Sequence, residues 1–386
     1  MIIPRLAPAQ LNPTTGTRQL VLLAAVQVCA MSVWFSASAV VPALRAEWGL
    51  SREHSILLTV TVQAGFAAGA VVSAALNLAD RVPPHRLIAG SALLAAVATA
   101  ALPWCPHAAA PLRFLTGFAL AGVYPVGMKV VVSWFPHRRG FALGVLLGAL
   151  TLGSALPSLL NPLPWRAVLV SSALLATLGA GIAAAFVRPG PDRTPSPPWQ
   201  PRYLLTMAAD RRQRLVCLGY FGHMWELYAL WAWLPAYLTA TGGPGGLTPF
   251  VVIGLCGAAG CLLGGALSDR RGRAVVAMAA LLVSGGCALL SYPASGAGLL
   301  LPVLLVWGVA VIADSGQFSA ALAETADPRY LGTALTAMTA LGFLLSAATI
   351  QLLPLVADAV GWRAAVPVLA AGPLLGAVAM HRLRRR

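Results

Sequence analysis

The chain has 386 residues, of which 59% are hydrophobic, 38 are Gly and only 10% are Asp, Glu, Lys or Arg. Soluble domains carry about 25% charged residues, so this composition excludes a water-soluble enzyme, a disordered chain and a nucleic-acid-binding protein. One membrane-spanning helix needs about 20 apolar residues, and the apolar content is enough for about 11 or 12 of them. The composition therefore predicts an all-α membrane protein.

Apolar runs separated by Gly, Pro and charged residues predict twelve transmembrane helices, numbered span 1 to span 12. They cover about residues 19–43, 54–79, 87–104, 108–134, 140–160, 165–187, 214–238, 248–267, 274–292, 298–323, 333–356 and 364–381. Ala37-Ser38-Ala39 is similar to a signal-peptidase site, but the apolar run before it is long and eleven more follow. We therefore expect span 1 to be retained.

The longest polar connection, 188–213, is rich in Pro and Arg and lies between spans 6 and 7. It divides the chain into an N-terminal six-helix bundle, 1–187, and a C-terminal six-helix bundle, 214–386. Three landmarks recur in the same order in the two halves: Asp80-Arg81 as Asp269-Arg270, Pro136 and Gly140 as Pro328 and Gly332, and Trp165-Arg166 as Trp362-Arg363. This repeat predicts two pseudo-symmetric bundles with a solute site at their interface.

The basic residues predict the orientation in the membrane. Twenty of the 26 lie on the side that carries both termini and 188–213, and the positive-inside rule places this side in the cytoplasm. The net charge of +15 then reflects topology and not an acidic partner. Only Lys129 is Lys and all other basic residues are Arg, a bias typical of GC-rich bacterial genomes. We therefore expect a bacterial inner membrane.

Several chemical motifs are missing from the sequence. The six cysteines lie in or beside apolar runs without CxxC or Cys/His metal spacing, so we expect no disulfide framework. The chain has no ATP-binding P-loop and no intramembrane HExxH or aspartate cluster, which disfavours a primary pump and a polytopic membrane enzyme or receptor. We expect no cofactor, no metal, no nucleic-acid partner and a monomer in the lipid bilayer.

Between spans 8 and 9 the chain reads Gly265-Ala-Leu-Ser-Asp269-Arg270-Arg-Gly-Arg273. This loop, with the twelve spans, the 6+6 repeat and the long middle connection, resembles the major facilitator superfamily of transporters. The resemblance implies a cytoplasmic latch formed by loop charges. This latch keeps the cytoplasmic side closed while the transporter faces outward. It gives gating roles to Asp80, Arg81, Asp269, Arg270, Arg273 and Glu324.

We expect Asp269 to approach the start of span 5 near Gly140, and Asp80 the start of span 11 near Gly332, because a carboxylate is favourable at a helix N-terminus. Glu324, at the inner end of span 10, is the expected partner of Arg270. The corresponding loop of the N-terminal half, at Asp80-Arg81, departs from the pattern. No acid lies at the position that matches Glu324, so we expect a weaker latch there. The alternative is that these residues are solvated loop charges.

Only two of the eleven acids lie near mid-helix: Glu226 in span 7 and Asp314 in span 10. A carboxyl group at bilayer depth costs about 2.5 kcal/mol or more, so such residues face a cavity or a partner. We interpret them as a proton- or cation-binding pair. The alternatives are a structural acid, for instance Glu226 capped by His223, and a divalent-metal site formed by His223, Glu226 and Asp314.

The resemblance implies that spans 1, 4, 7 and 10 line the solute path, and helical spacing places polar and aromatic side chains on one face of each. The candidate solute- and proton-binding residues are Glu226, Asp314, His223, Gln317, Arg113, Gln27, Trp34, Tyr124, Trp233 and Trp307. The tryptophans pack at interfaces in the alternative interpretation. Lys129 is expected to extend to the membrane surface.

The sequence thus predicts a secondary transporter, not an enzyme, that takes up a small solute with protons by alternating access. Arg113 with Gly117 and Gly122 is similar to a pattern of proton-coupled members, and span 5 lacks the Gly-Pro and Gly-Gly pattern of antiporters. Proton-coupled efflux of drugs or metabolites is the alternative. Two carboxyl groups in one poorly hydrated cavity repel when both ionise. We expect Asp314 to carry the proton, with His223 as the partner of Glu226.

Overall fold

The computed structural model describes residues 13–135, 139–160, 163–191, 200–296 and 298–385. These residues form helices and connecting turns, and no strand occurs among them. Ten helices are long and apolar enough to cross a bilayer, so the chain is a multi-pass membrane protein. Pro136 and residues 192–199 of the middle connection lie outside the described residues.

The described residues contain twelve helical spans in the predicted order. The N-terminal half has Pro13–Met31, Ser36–Ala39 and Val41–Trp48 as span 1, Arg52–Ala75 as span 2, Pro84–Ala101 as span 3, Ala109–Leu120 and Tyr124–Trp134 as span 4, Arg139–Leu159 as span 5 and Trp165–Phe186 as span 6. A short helix, Leu78–Arg81, follows span 2.

The C-terminal half repeats this order. It has Arg211–Thr241 as span 7, Phe250–Cys256 and Gly257–Arg271 as span 8, Arg273–Gly296 as span 9, Leu300–Ala313 and Ser315–Thr325 as span 10, Leu331–Val360 as span 11, and Trp362–Ala365, Val366–Ala370 and Ala371–Arg384 as span 12.

Spans 1 and 7 are not among the ten helices that are long and apolar enough to cross a bilayer, and the reasons differ. The first helix of span 1 ends at Met31, so this apolar helix is too short to be recognised as a membrane span by itself. Span 7 is a continuous helix of 31 residues, but polar residues such as His223 and Glu226 lower its hydropathy. Side chains that suit a solute path therefore weaken the signal by which a membrane helix is recognised.

Spans 4 and 10 are also interrupted, where the sequence predicted continuous helices. Span 4 stops after Leu120 and resumes at Tyr124, while span 10 stops after Ala313 and resumes at Ser315. Gly122 and Asp314, at the two breaks, are 192 residues apart, the same offset as Gly140 and Gly332. Glycine has a low helix propensity, and Asp and Ser side chains compete for backbone hydrogen bonds. The repeat thus includes the breaks in spans 4 and 10.

Helix packing follows the same repeat. In the N-terminal half, span 1 packs on spans 5 and 6, span 2 on span 4, and span 3 on spans 4 and 6. In the C-terminal half, span 7 packs on spans 11 and 12, span 8 on span 10, and span 9 on spans 10 and 12. The halves meet where span 2 packs on span 11 and span 5 packs on span 8. The chain therefore forms two pseudo-symmetric six-helix bundles.

One end of the bundle, which we call the basic end, carries the loops after spans 2, 4, 8 and 10 and the middle connection. This connection is not only a polar loop, because Tyr203–Ala209 is helical. Tyr203 stacks on Tyr330 with ring centroids 4.7 Å apart, and its hydroxyl accepts the backbone N–H of Asp327 at 3.1 Å. A side-chain hydrogen bond from Arg329 holds the pKa of the Asp327 carboxyl below its usual range. The connection is thus anchored to the C-terminal half.

Spans 5 and 8 approach closely towards the basic end. Gly140, Gly144 and Gly148 recur every four residues and share one face of span 5. A Cβ atom on Gly144 would lie 2.7 Å from the carbonyl oxygen of Cys261, and one on Gly265 would lie 2.6 Å from the carbonyl oxygen of Gly140. The two backbones touch, so glycine is required at these positions. We call this contact between the halves the glycine seam.

We predict that Gly144→Val opens the glycine seam, because the new side chain would overlap the backbone of span 8. In a variant with Cys261 as its only cysteine, N-ethylmaleimide should then label Cys261, which is 3% exposed, at least about tenfold faster. Gly181→Val is the matched control, because a Cβ atom on Gly181 of span 6 would have no neighbour within 4 Å. Unchanged labelling in Gly144→Val would contradict the role of the seam.

Candidate functional site

The first centre of the site joins spans 7 and 10. His223 Nδ1 lies 2.8 Å from Asp314 Oδ1, and both side chains are buried. The ring nitrogen is not aligned on the oxygen as in a full hydrogen bond, and His223 Nε2 has no hydrogen-bond partner among the described residues. Phe318 packs against the imidazole ring, with centroids 5.7 Å apart. The break in span 10 therefore places a carboxyl group and an imidazole in contact within an apolar environment.

The second centre joins spans 7, 9 and 10. Glu226 is 1% exposed, its Oε2 accepts a hydrogen bond from the Ser284 hydroxyl at 2.6 Å, and its Oε1 accepts one from Trp307 Nε1 at 2.8 Å. The prediction that His223 is the partner of Glu226 is therefore wrong. The side chain of His223 contacts Asp314 on span 10, because tertiary packing outweighs the helical spacing of three residues between His223 and Glu226.

The metal-site alternative lacks the required geometry. No group of three His, Cys, Asp or Glu side chains among the described residues could hold a metal ion. His223 and Glu226 use their polar atoms towards different partners, as given above. The described cysteines are free thiols.

Arg113 has a structural environment that the sequence did not predict. It is completely buried, and its Nη1 and Nη2 donate to the carbonyl oxygens of Val33 and Trp34, while its Nε donates to that of Leu58. Val33 and Trp34 lie in the break of span 1 that follows Met31. The guanidinium therefore satisfies carbonyl groups that a broken helix leaves without N–H partners. Arg113 holds the break and does not present a free charge to the path.

An aromatic cluster closes the space between the halves next to this break. The ring centroids of Trp34 and Phe66 are 5.0 Å apart, those of Trp34 and Tyr228 are 5.8 Å apart, and those of Phe66 and Phe343 are 4.4 Å apart. These rings come from spans 1, 2, 7 and 11, so both halves contribute. Trp34 packs against neighbouring rings where the halves meet, and its role in solute binding stays a prediction.

Several buried polar atoms near the path have no hydrogen-bond partner among the described residues. They are Gln27 Nε2, Trp34 Nε1, Gln317 Oε1 and both polar atoms of the Gln63 side chain. Such atoms are rare in folded proteins, because leaving one unpaired costs about 1–3 kcal/mol. Gln63, in span 2, was missed by the sequence analysis. The signal was a lone amide in the middle of an apolar span.

Two predicted site residues lie in other environments. Trp233 Nε1 donates to the carbonyl oxygen of Ile350 at 2.9 Å, and its ring packs on Trp362 with centroids 5.6 Å apart. Trp233 thus connects spans 7, 11 and 12, in agreement with the alternative of interface packing. Tyr124 begins the second segment of span 4 and is partly buried.

A small cavity of about 10 Å³ lies between spans 5, 8 and 10. Leu147, Cys261, Ala313 and Gln317 are among the residues that line it. It therefore connects the glycine seam to the break at Asp314.

Asp269 approaches the start of span 5 near Gly140, as predicted. Its carboxylate lies so close to Gly140 that a Cβ atom there would overlap it. Gly140 is in the first turn of span 5, where a negative charge is favourable. At the corresponding position of the other half, a Cβ atom on Gly332 would have no neighbour within 4 Å. Asp80 therefore does not approach span 11 as Asp269 approaches span 5.

The partners of the other latch charges differ from those predicted. Asp80 forms an ion pair with Lys129, a contact that the sequence analysis predicted for neither residue. Glu324 accepts a hydrogen bond from Arg273 Nε at 2.6 Å, so Arg273 and not Arg270 is its partner. Each half thus ties the loop after its second helix to its fourth helix at the basic end, with the signs of the charges reversed.

Arg81 and Arg270, which also had gating roles in the prediction, are exposed. The salt bridges given for the described residues involve neither of them. The charges that tie the loops to helices in the described residues are therefore Asp80, Lys129, Arg273 and Glu324.

The family model of the Major Facilitator Superfamily matches residues 23–350, which is most of the chain. The chain belongs to this superfamily. It is 24% identical over 267 residues to a probable sulfoacetate transporter of Cupriavidus necator, with 60% of each chain covered, so it matches less than two thirds of that relative. It is 30% identical over 348 residues to a chloramphenicol resistance protein of Streptomyces lividans, covering 85% of this chain and 88% of that protein.

A solved structure supports the same fold. The structure of a proton:xylose symporter of the major facilitator superfamily has a TM-score of 0.71 and 14% identity, with 96% of each chain covered. The match covers both bundles, and the identity is low enough that it shows the fold alone. This facilitator, as we call the chain after its superfamily, therefore has the two-bundle fold described above.

We predict that Arg113→Leu lowers the free energy of unfolding of this facilitator by about 3 kcal/mol or more, because three buried carbonyl groups lose a charged donor. Arg166→Leu is the matched control. Arg166 pairs with Glu47 at an exposed site, so its loss should cost less than about 1 kcal/mol. Equal changes in the thermal unfolding of the two purified variants would contradict the structural role of Arg113.

We also predict that Asp269→Asn slows transport at least about tenfold while the protein still inserts, because Asp269 contacts the other half and biases the conformational equilibrium. Asp80→Asn should be milder, because Asp80 is paired within its own half. The check is the transport rate together with the labelling of Cys261 in the single-cysteine background. Small and equal effects of the two substitutions would exclude a latch at Asp269.

Proposed function

We propose that this facilitator couples the transport of a small organic solute to protons, across a bacterial inner membrane, by alternating access. The observation that carries the proposal is the buried contact between His223 and Asp314 at the break in span 10. An imidazole next to a carboxyl group can take up and release a proton without large rearrangement. Residues 1–187 and 214–386 act as the two moving bodies, joined by 188–213.

The two acids have different roles in this proposal. Both oxygens of Glu226 accept short hydrogen bonds from neutral donors on spans 9 and 10, which fix the side chain. His223 Nε2, by contrast, has no hydrogen-bond partner among the described residues and is open to a proton. The His223–Asp314 pair therefore carries the coupling proton. Glu226 positions spans 7, 9 and 10 around it.

The pair is close to the contact that closes the basic end. Ala313, next to Asp314, lines the small cavity together with Leu147 of span 5. A Cβ atom on Gly264 of span 8 would overlap the carbonyl oxygen of Ala313. A change of charge at Asp314 is thus one residue away from a backbone contact with span 8, which also forms the glycine seam. This proximity supports coupling between protonation and opening.

Uptake with protons is the preferred direction, because span 5 lacks the pattern associated with antiporters. The cytoplasm is on the basic end, and the unequal distribution of 20 of the 26 basic residues supports this orientation, with both termini inside. Export in exchange for protons is the second candidate. The 30% identity to the chloramphenicol resistance protein over 85% of this chain favours it.

The experiment measures transport in proteoliposomes with an imposed pH gradient. Radiolabelled chloramphenicol, sulfoacetate and xylose are the first solutes, followed by a metabolite panel selected by thermal stabilisation of the purified protein. Symport predicts accumulation when the outside is acidic, and antiport predicts accumulation when the inside is acidic. Accumulation that is the same for either direction of the pH gradient would exclude proton coupling.

Two variants test the roles of the acids. Asp314→Asn should abolish accumulation against a gradient but permit exchange of solute for solute, because exchange needs no net movement of protons. Glu226→Gln should keep the pH dependence while it lowers the rate, since the amide retains one acceptor for Ser284 or Trp307. If Asp314→Asn accumulates solute with the pH dependence of the unmodified protein, the assignment of the proton to this pair is wrong.

A further inference from the structure

We infer that the solute is an uncharged molecule with a flat apolar ring and hydrogen-bonding groups at its rim, and that Gln63 contributes to its recognition. The inference rests on the transport function proposed above and names the class of molecule that the same path accepts. Three observations on the described residues carry it. The basic side chains in the spans are in contact with groups of the protein, the acidic side chains are as well, and several neutral polar atoms have no partner.

The first observation concerns cations. Within the described membrane spans the basic side chains, apart from residues at the helix ends, are Arg113, Lys129 and His223. His223 lies against Asp314, so the protonated imidazole and the ionised carboxylate together carry no net positive charge. Each nitrogen of the Arg113 guanidinium donates to a backbone carbonyl group, and the side chain is fully buried. Lys129 is paired with Asp80 at the basic end. A carboxylate or sulfonate solute would therefore enter a poorly hydrated path without a free cation, which is unfavourable.

The second observation concerns acids, which a cationic solute would need. Each oxygen of Glu226 accepts a hydrogen bond, from Ser284 and from Trp307. Asp314 contacts His223, which neutralises its charge when the imidazole is protonated. Both acids thus have neighbours within the C-terminal half: Glu226 accepts two hydrogen bonds, and Asp314 lies against the imidazole. A cationic solute would have to displace these contacts.

The third observation concerns the groups that remain. Apart from His85 and the His223–Asp314 pair, the side chains with unpartnered atoms are Gln27, Gln63, Trp34 and Gln317. These four are neutral donors and acceptors, and each is at least 95% buried. Gln63 lies one helical turn before Phe66 on span 2, and Phe66 packs on Trp34. Amide and indole groups beside aromatic rings match a flat, uncharged molecule that forms hydrogen bonds at its rim.

Gln63 is completely buried, and neither polar atom of its side chain has a hydrogen-bond partner among the described residues. A side chain that only packs in a core would be better as an apolar residue of the same shape. Its amide therefore lowers the stability of the empty protein and gains partners when a solute is bound. This predicts opposite effects of its replacement on stability and on binding.

The binding test uses sets of three aromatic compounds that share one ring and differ in one substituent, which is an amide, a carboxylate or an ammonium group. One such set is 4-nitrobenzamide, 4-nitrobenzoate and 4-nitrobenzylammonium. Binding to the purified protein is measured by the shift of its thermal unfolding at constant pH. We expect the strongest stabilisation from a neutral member. Strongest stabilisation by a carboxylate or an ammonium compound, or no stabilisation by any member, would overturn the inference.

The variant test uses Gln63→Met, which keeps the shape and removes both polar atoms. It should weaken binding of the neutral ligand about tenfold and raise the unfolding temperature of the ligand-free protein. The matched control is Gln19→Met. Gln19 is buried in span 1 but donates to the carbonyl oxygen of Phe186 at 3.1 Å and accepts the backbone N–H of Arg188 at 2.9 Å. This control should lower the unfolding temperature and leave the affinity unchanged.

If Gln63→Met lowers the unfolding temperature and leaves the affinity unchanged, Gln63 has a structural role and its part of the inference is wrong. The tests also separate the inference from the proposed function. Binding of a neutral ligand without gradient-driven accumulation would exclude proton coupling and leave the solute class intact. Proton-driven accumulation of an anion would exclude the solute class and leave the coupling intact.

Discussion

A helix that stops inside a membrane exposes carbonyl and N–H groups that lipid cannot satisfy, and the protein must supply their partners. This constraint governs the centre of the molecule, because spans 1, 4 and 10 are all interrupted there. At span 1 the partner is Arg113, whose guanidinium forms hydrogen bonds with two carbonyl groups of the break and a third on span 2. A charge inside the bundle is therefore retained by the backbone around it.

The two halves share a fold but differ in chemistry. The N-terminal half contains the fully buried Arg113 and two glutamines with unpartnered side-chain atoms, whereas the C-terminal half contains both buried acids and the imidazole. Duplication preserved the helix order, the packing and the positions of the breaks in spans 4 and 10. At those breaks, Gly122 in one half corresponds to Asp314 in the other. A common scaffold thus carries solute recognition on one side and proton exchange on the other in the proposed mechanism.

Much of the fold could be predicted from the sequence, because apolar runs of about 20 residues and a repeated order of landmarks are local signals. The contact of Asp269 with Gly140 also followed, since it came with a recognisable loop. The pairing of His223 with Asp314 did not, because helical spacing identifies residues on one face but not the neighbouring helix they contact. The ion pair of Lys129 with Asp80 did not follow either, because the two residues are 49 positions apart in the sequence.

The glycine seam has a consequence for the genetics of this facilitator. Every single-base change in a glycine codon that alters the residue introduces a larger side chain, and at Gly144 any side chain would meet the backbone of span 8. Mutations in this short stretch of the gene therefore act on the balance between conformations and leave the residues of the path unchanged. Selection for altered transport would therefore find variants at the seam as well as at the proposed binding groups.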